Sequence, residues 1–288
     1  MPSKRRIILA ESDTHAGNLL GLCNPKVRIL SSDGSKKVGP SIREFQQYTW
    51  GLRTDYIGNV VEIAGDSDII HIHGGDITQG NKYHDQLMTT RIADQFSIAD
   101  ANMWPIYEIP NVKTGRLITG TSAHIFGEGT SEIEVAERLS LRYPDKDIRP
   151  LAHSLLEIDG IEFDVTHHGP GAGIRQWTRG NVARHYLRSK MWQDYKTRGK
   201  VPRLFFRGHY HTFVHETVRE RFGDEYIESH LIVLPSWCGM TEFGRQATAS
   251  EYELTNVIVA IEIIPGDQIP LRIHPFVKTL DLRTKETL

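Results

Sequence analysis

The chain has 288 residues, 39% hydrophobic and 24% charged, with 34 basic against 36 acidic side chains for a formal net charge of −2. That composition excludes a disordered or fibrous chain, and so even a charge balance gives no overall attraction to nucleic acid or an anionic membrane. No stretch approaches the roughly 18 uncharged apolar residues of a membrane span. Met1 to Ala10 lacks a long signal-type apolar region, and the two cysteines, Cys23 and Cys238, form neither a disulfide framework nor a thiolate zinc site. These features point to a reducing cytoplasm, and the length fits one layered domain over 1–288.

Taken in chain order, Arg6 to Ala10 is a short Ile-rich run that ends just before Asp13-Thr14-His15. Apolar residues at helical spacing predict a helix over 41–63, with Ser41 as N-cap and Glu44 three residues on. A second strand, Asp68 to His73, leads into Gly75-Asp76. A second helix is expected over 85–103, stopped by Pro105 and Pro110. Gly115 to Thr119 reads as a strand entering Gly120-Thr121-Ser122-Ala123-His124, and 130–142 as a helix capped by Thr130 or Ser131. Residues 151–165 alternate around Asp159-Gly160, a hairpin whose second arm points at His167-His168-Gly169. A basic, aromatic stretch follows over 171–203, then a strand to Arg207 before Gly208-His209-Tyr210-His211, and the remainder is β-rich.

Periodicity alone gives α/β, with polar clusters gathered where strands end. Imidazoles and carboxylates are the side chains that hold borderline and hard divalent ions. Any one of these dipeptides by itself reads as a polar loop; their joint occurrence carries the signal. In this order, Asp-x-His, Gly-Asp, a Gly-to-His turn, a His and Gly-His-x-His resemble the calcineurin-like metallophosphoesterases, over the span from Arg6 to His211. The resemblance implies an α/β four-layer sandwich of two mixed β-sheets flanked by helices, with a metal site at strand C-terminal ends. It also implies two divalent ions, from among Mn, Zn, Fe and Ni, that activate water for attack on a phosphate ester.

By the same resemblance Asp76 bridges the ions and serves catalysis, Asp13, His15 and His211 complete one site, and His209 serves the other with a His from the 167/168 pair. Neighbouring side chains on a strand face opposite ways. His167 shares the parity of Phe163 and Val165 and is the preferred ligand, while His168 stays open as ligand, supporting donor or substrate contact. Gly75 and Gly208 immediately precede candidates, where backbone must come close to the site. The third cluster departs from the family's Gly-Asn-His: Thr121 or Ser122 offers a hydroxyl where the family has an amide carbonyl, and His124 comes two residues later. Thr121 is the candidate ligand and His124 the candidate acid for the leaving oxygen, a surface-loop His being the alternative. His71 and His73 read as packed core residues.

Substrate contacts are expected from Asn81, for which a turn role is the alternative, and from Arg175 and Arg179. Nine Lys or Arg against one acid over 171–203, with interleaved Trp and Tyr, read either as a nucleic-acid surface or as an amphipathic helical insertion whose basic face is solvated or paired with acids. Gln79 stands where the phosphoprotein phosphatases carry Arg, which argues against a phosphoprotein substrate. The expected activity is metal-dependent phosphodiester hydrolysis, as a phosphodiesterase or nuclease acting on nucleotides or nucleic acid. A phosphomonoesterase on the same scaffold and a catalytically weak metal-containing binding protein are the alternatives, and no membrane partner is expected.

Overall fold

A computed structural model describes residues 5–286 apart from 123–124, 127–128, 172–177, 179, 242–244, 246–251 and 268–269. Its elements run β1 (Arg6–Glu11), the ribbon β2 (Ile29–Leu30) and β3 (Lys37–Val38), α1 (Glu44–Ala64), β4 (Asp68–His73), α2 (Ile92–Tyr107) and β5 (Val112–Ile118). A second ribbon, β6 (Ile125–Phe126) and β7 (Gly129–Thr130), precedes α3 (Ser131–Arg142) and β8 (Asp147–Leu151). Then come β9 (Ser154–Ile158), β10 (Ile161–Val165), α4 (Asn181–Arg198), β11 (Leu204–Arg207), β12 (Val214–Phe222), β13 (Glu225–Val233), β14 (Glu253–Ile263) and β15 (Leu271–Asp281).

The larger sheet has the order β15-β14-β1-β4-β5-β8, its last four strands parallel and β14 antiparallel to β1. The smaller has the order β12-β13-β11-β10-β9, with β10, β11 and β13 parallel and both edges antiparallel. Alternation along each strand sorts side chains between layers. Ile7 and Leu9 pack with Val60, Ile98 and Val135 of α1, α2 and α3. Ile8 and Ala10 point the other way, to a second core shared with Phe163, Phe206, Ile232 and Val259. Phe205, Leu231 and Val233 then face Ala183, Leu187 and Met191 of α4. The result is helices, sheet, sheet and helix in four layers, as expected.

Local expectations hold with informative exceptions. Asp159 and Gly160 have φ of 51° and 82°, the primed turn that joins β9 to β10 as a hairpin. The first residue of the predicted hairpin, Leu151, instead ends β8, which pairs with β5 in the other sheet. The cap of α1 is Arg43, not Ser41: the Gln46 side chain accepts the Arg43 N–H at 3.1 Å. Helix α2 begins later than expected because the preceding segment wraps the Gln95 side chain, which accepts Gly80 N–H (3.0 Å) and donates to the Thr89 carbonyl (3.2 Å). It also runs through Pro105. Proline removes the donor for the Ala101 carbonyl, and Asn24 Nδ2 supplies a replacement at 2.7 Å.

In the described part of the basic stretch, four cations face acidic partners. Arg184 pairs with Glu216 (3.0 Å), Arg188 with Glu220 (2.5 Å), Arg198 with Glu162, and Lys200 with both Glu157 (3.2 Å) and Glu162 (3.0 Å). Tyr195 stacks on Phe222 with ring centroids 4.7 Å apart, so its aromatic face is spent on packing. Among the described residues, no helix is long and apolar enough to cross a membrane.

Phe163 is fully buried between the two sheets. Phe163→Ala is expected to lower the free energy of unfolding by about 3–5 kcal/mol, read from urea denaturation; a loss under about 1 kcal/mol would contradict the inter-sheet packing.

Candidate metal centre

Every cluster at the site follows the carboxyl end of a parallel strand. Asp13 and His15 follow β1, Asp76 follows β4, Thr121 follows β5, His167 follows β10, and His209 and His211 follow β11. The strands deliver these residues to a common rim, and tight backbone turns aim them. Among the described residues the non-glycine positions with positive φ are Asp13, His15, Asp76, Asp159, His209 and His211. All but Asp159 are candidate ligands. Left-handed backbone is costly for residues with a Cβ, so the surrounding contacts must hold it. Asp13 N–H donates to the Gly75 carbonyl (2.9 Å), His15 N–H to the Asp76 carbonyl (3.0 Å), and Trp237 N–H to the Asp13 carbonyl (3.0 Å).

The side chains form two groups in which the ligand atoms lie within 4.8 Å of one another: Asp13, His15 and His211, and Asp76, His167 and His209. In the first, His15 Nε2 is 3.2 Å from His211 Nε2, and Asp13 Oδ1 is 3.4 Å from His211 Nε2 and 3.8 Å from His15 Nε2. In the second, His167 Nε2 is 3.1 Å from Asp76 Oδ2. Ligand atoms about 2.0–2.2 Å from one ion are separated by roughly 2.8–3.6 Å at octahedral or tetrahedral angles. Three of these separations fall in that range and the fourth lies just outside it.

The chemistry of the donors agrees. The Gly74 carbonyl can only accept, so His167 Nδ1, 2.7 Å away, carries the proton and turns Nε2 toward Asp76. Both His167 Nε2 and Asp13 Oδ1 are buried against other candidate ligands. Burial alone would lower the pKa of His167, but Asp76 and Asp13 outweigh it and push the imidazole up to about 10. Two buried carboxylates thus call for positive charge at this point. Burial disfavours the Asp13 carboxylate, yet His167 and His211 hold it well below the usual range. His209 is pushed down to about 4 by burial and by His167, which leaves its ring neutral near pH 7. The residues present fit a pair of divalent cations.

Glycine makes the closeness possible. A Cβ on Gly75, whose φ is 113°, would sit 2.5 Å from His167 Nδ1, and one on Gly208 would sit 2.5 Å from Ser12 Oγ and 2.8 Å from Asp13 Oδ2. Beneath the rim, Glu11 makes a fork with Arg53 at 2.6 and 2.7 Å, while His71 bonds Tyr107 and His73 lies by Thr14, so both His are core residues.

The remaining sequence candidates are placed as follows. His168 is exposed and lines the cavity, its ring 4.9 Å from that of His209. Thr121 donates from its N–H to Asp76 Oδ1 at 2.6 Å, and its hydroxyl lies 3.2 Å from the same oxygen, an orienting contact that the sequence did not disclose. Asn81 accepts from Gln95 Nε2 (3.1 Å) and donates to the Thr90 carbonyl (3.3 Å). His124, Arg175 and Arg179 lie outside the described residues. A cavity of about 270 Å³ opens on both ligand groups, and Asn18, Lys82, Tyr83 and Gln86 also line it. These four escape sequence reasoning because none belongs to a motif; only the nearness of Lys82 and Tyr83 to Asp76 in the chain hints at them.

No family model matches the chain, and no curated protein does. Solved structures do match. Thermus thermophilus sulfate thiohydrolase SoxB is similar at 11% identity and a TM-score of 0.37, covering 98% of this chain and 57% of its own. The chain therefore spans little more than half of SoxB. Chaetomium thermophilum Vps29 is similar at 9% identity and a TM-score of 0.30 over 98% and 97% of the two chains. A Thermotoga maritima protein solved by NMR follows at 11% and 0.29, over 96% and 100%. At such identities and TM-scores none of them assigns an activity to this chain.

Gly208→Ala is expected to weaken manganese binding about 10–100-fold, by pressing a methyl on Ser12 and Asp13. Isothermal titration of the folded variant checks this; unchanged affinity would show that the close approach is not needed.

Proposed function

We propose that this chain is a dinuclear-metal phosphoesterase of the calcineurin-like kind that hydrolyses phosphodiesters, with nucleotides or nucleic acid as the substrate class. The observation that carries the reading is the pair of ligand groups, each made of two imidazoles and a buried carboxylate, side by side at the mouth of one cavity. Asp13, His15 and His211 would hold one cation and Asp76, His167 and His209 the other, with Asp76 the bridging candidate that the resemblance implies. When bound, such a pair polarises a phosphoryl oxygen, lowers the pKa of a shared water and offsets the charge of an in-line displacement. Which metals these are, among Mn, Zn, Fe and Ni, is for metal analysis to decide.

The chain's own residues do the rest. Thr121 fixes the rotamer of Asp76 through two donors, and the Gly74 carbonyl fixes the tautomer of His167. His168 lines the cavity beside His209, which supports a contact with a phosphate oxygen. His124 is the proposed donor of a proton to the leaving oxygen, on the strength of the resemblance alone. At the cavity, Lys82 and Tyr83 supply a cation and an aromatic face, which suits the phosphate and base of a nucleotide. Arg175 and Arg179 remain proposed contacts for a longer substrate, while the paired arginines of α4 lend that role little.

The test is hydrolysis of bis(p-nitrophenyl) phosphate with Mn, Ni or Zn added, beside p-nitrophenyl phosphate. Wild type should turn over the diester only with metal, and Asp76→Asn should lose at least about 100-fold together with bound metal. Activity on the monoester alone would move the assignment to a phosphomonoesterase, metal without turnover to a binding protein, and no bound metal would sink the reading.

A further inference from the structure

Glu132 is an acid at the head of a buried helical stripe. It stands second in α3, and Val135, Ala136 and Leu139, one and two turns on, are buried on the same face. Its own side chain is only 2% exposed, an unusual setting for a carboxyl group. One contact explains the direction in which it points. The Glu132 carboxylate accepts the N–H of Ile77 at 3.2 Å, and Ile77 is the residue directly after Asp76.

The backbone around Asp76 is held from several sides. Its φ of 53° lies in the left-handed region. Its carbonyl accepts from His15 N–H at 3.0 Å, and the carbonyl of Ile77 accepts from Ala16 N–H at 2.8 Å and from the Thr14 hydroxyl at 3.1 Å. Those contacts satisfy acceptors. The Ile77 N–H is a donor in a fully buried residue, and a buried donor must find a partner. Glu132, arriving from a helix in another part of the chain, is that partner. The arrangement carries an electrostatic penalty, since burial and the nearby Asp76 together push the Glu132 carboxyl up to about 7. A neutral core residue at this position would avoid the penalty and leave the Ile77 donor unmet.

We propose that Glu132 is a positioning residue, which locks Asp76 in its left-handed, cation-facing conformation by accepting the N–H of Ile77. The proposal rests on the metal reading above. It acts through backbone geometry, which distinguishes it from a general attraction of a negative charge for cations.

Two substitutions separate these possibilities. Glu132→Gln keeps an acceptor oxygen and removes the charge, whereas Glu132→Met keeps length and apolar packing and removes the acceptor. Manganese chloride is titrated into each metal-free protein, kcat and KM for bis(p-nitrophenyl) phosphate are measured, and hydrogen exchange of the Ile77 amide is followed without metal. The Met variant should bind manganese about 10–100-fold more weakly, lose kcat with little change in KM, and lose protection at Ile77. The Gln variant should recover most of all three. A Gln variant as weak as Met would overturn positioning in favour of charge, and a Met variant equal to wild type would overturn any role. Melting of the metal-free variants guards against global unfolding. If wild type binds no manganese, the metal reading fails by itself; protection at Ile77 that Met leaves intact overturns the backbone lock independently.

Discussion

Five candidate ligands sit on left-handed backbone, a conformation that side chains with a Cβ resist, and much of the structure around them exists to hold it there. Each turn is short, follows directly on a parallel strand, and leaves its N–H and C=O groups without a ladder to join. Those groups bond between neighbouring loops instead: Asp13 to Gly75, His15 to Asp76, Trp237 to Asp13, Gly208 to His167. Loops from remote parts of the sequence thereby become one another's secondary structure. The strain is local, the restraint is collective, and the side chains are delivered with little freedom left to lose on binding.

Electrostatics explains why those restraints must be stiff. Asp76 is buried close enough to Asp13 to raise its cost of ionisation, and the His167 and His211 imidazoles offset it. A loosely held pair of carboxylates would rotate apart or take up protons. Here hydroxyl and backbone donors restrain both: Ser12 and His209 N–H act on Asp13, and Thr121 acts on Asp76. The deeper Glu11–Arg53 fork anchors the end of β1 just before Asp13. The layers of the fold serve the same end, because central parallel strands covered on both faces cannot shift without disturbing two cores.

Local order made the α/β class and the strand-then-cluster pattern legible in the sequence, and the four layers and the ligand set came from the resemblance that those clusters carry. Strand-then-cluster spacing placed the ligand candidates, and the parity of Phe163, Val165 and His167 pointed to the member of the His pair that the structure buries. What stayed hidden depended on contacts between distant segments. Asn24 rescuing the carbonyl freed by Pro105 lets α2 outrun its expected stop. Leu151 lies within the alternating stretch before Asp159, yet β8 joins the other sheet. The basic residues of α4 look poised for nucleic acid until Glu216, Glu220, Glu162 and Glu157 are seen opposite them. Glu132 and the cavity residues Lys82 and Tyr83 belong to no motif, and only packing gives them meaning.

One feature of the site reaches beyond chemistry. Asp13 and His15 leave the larger sheet while His211 leaves the smaller, and Asp76 leaves the larger while His167 and His209 leave the smaller. Neither sheet by itself owns a complete group. On the proposed metal reading, cation affinity and the docking of one sheet on the other are thermodynamically linked. Any mutation that loosens the apolar seam far from the rim would register as weaker ion uptake, and ion-loaded protein would resist prising the sheets apart. Selection for the site would act, in consequence, on a hydrophobic interface remote from the ligand atoms.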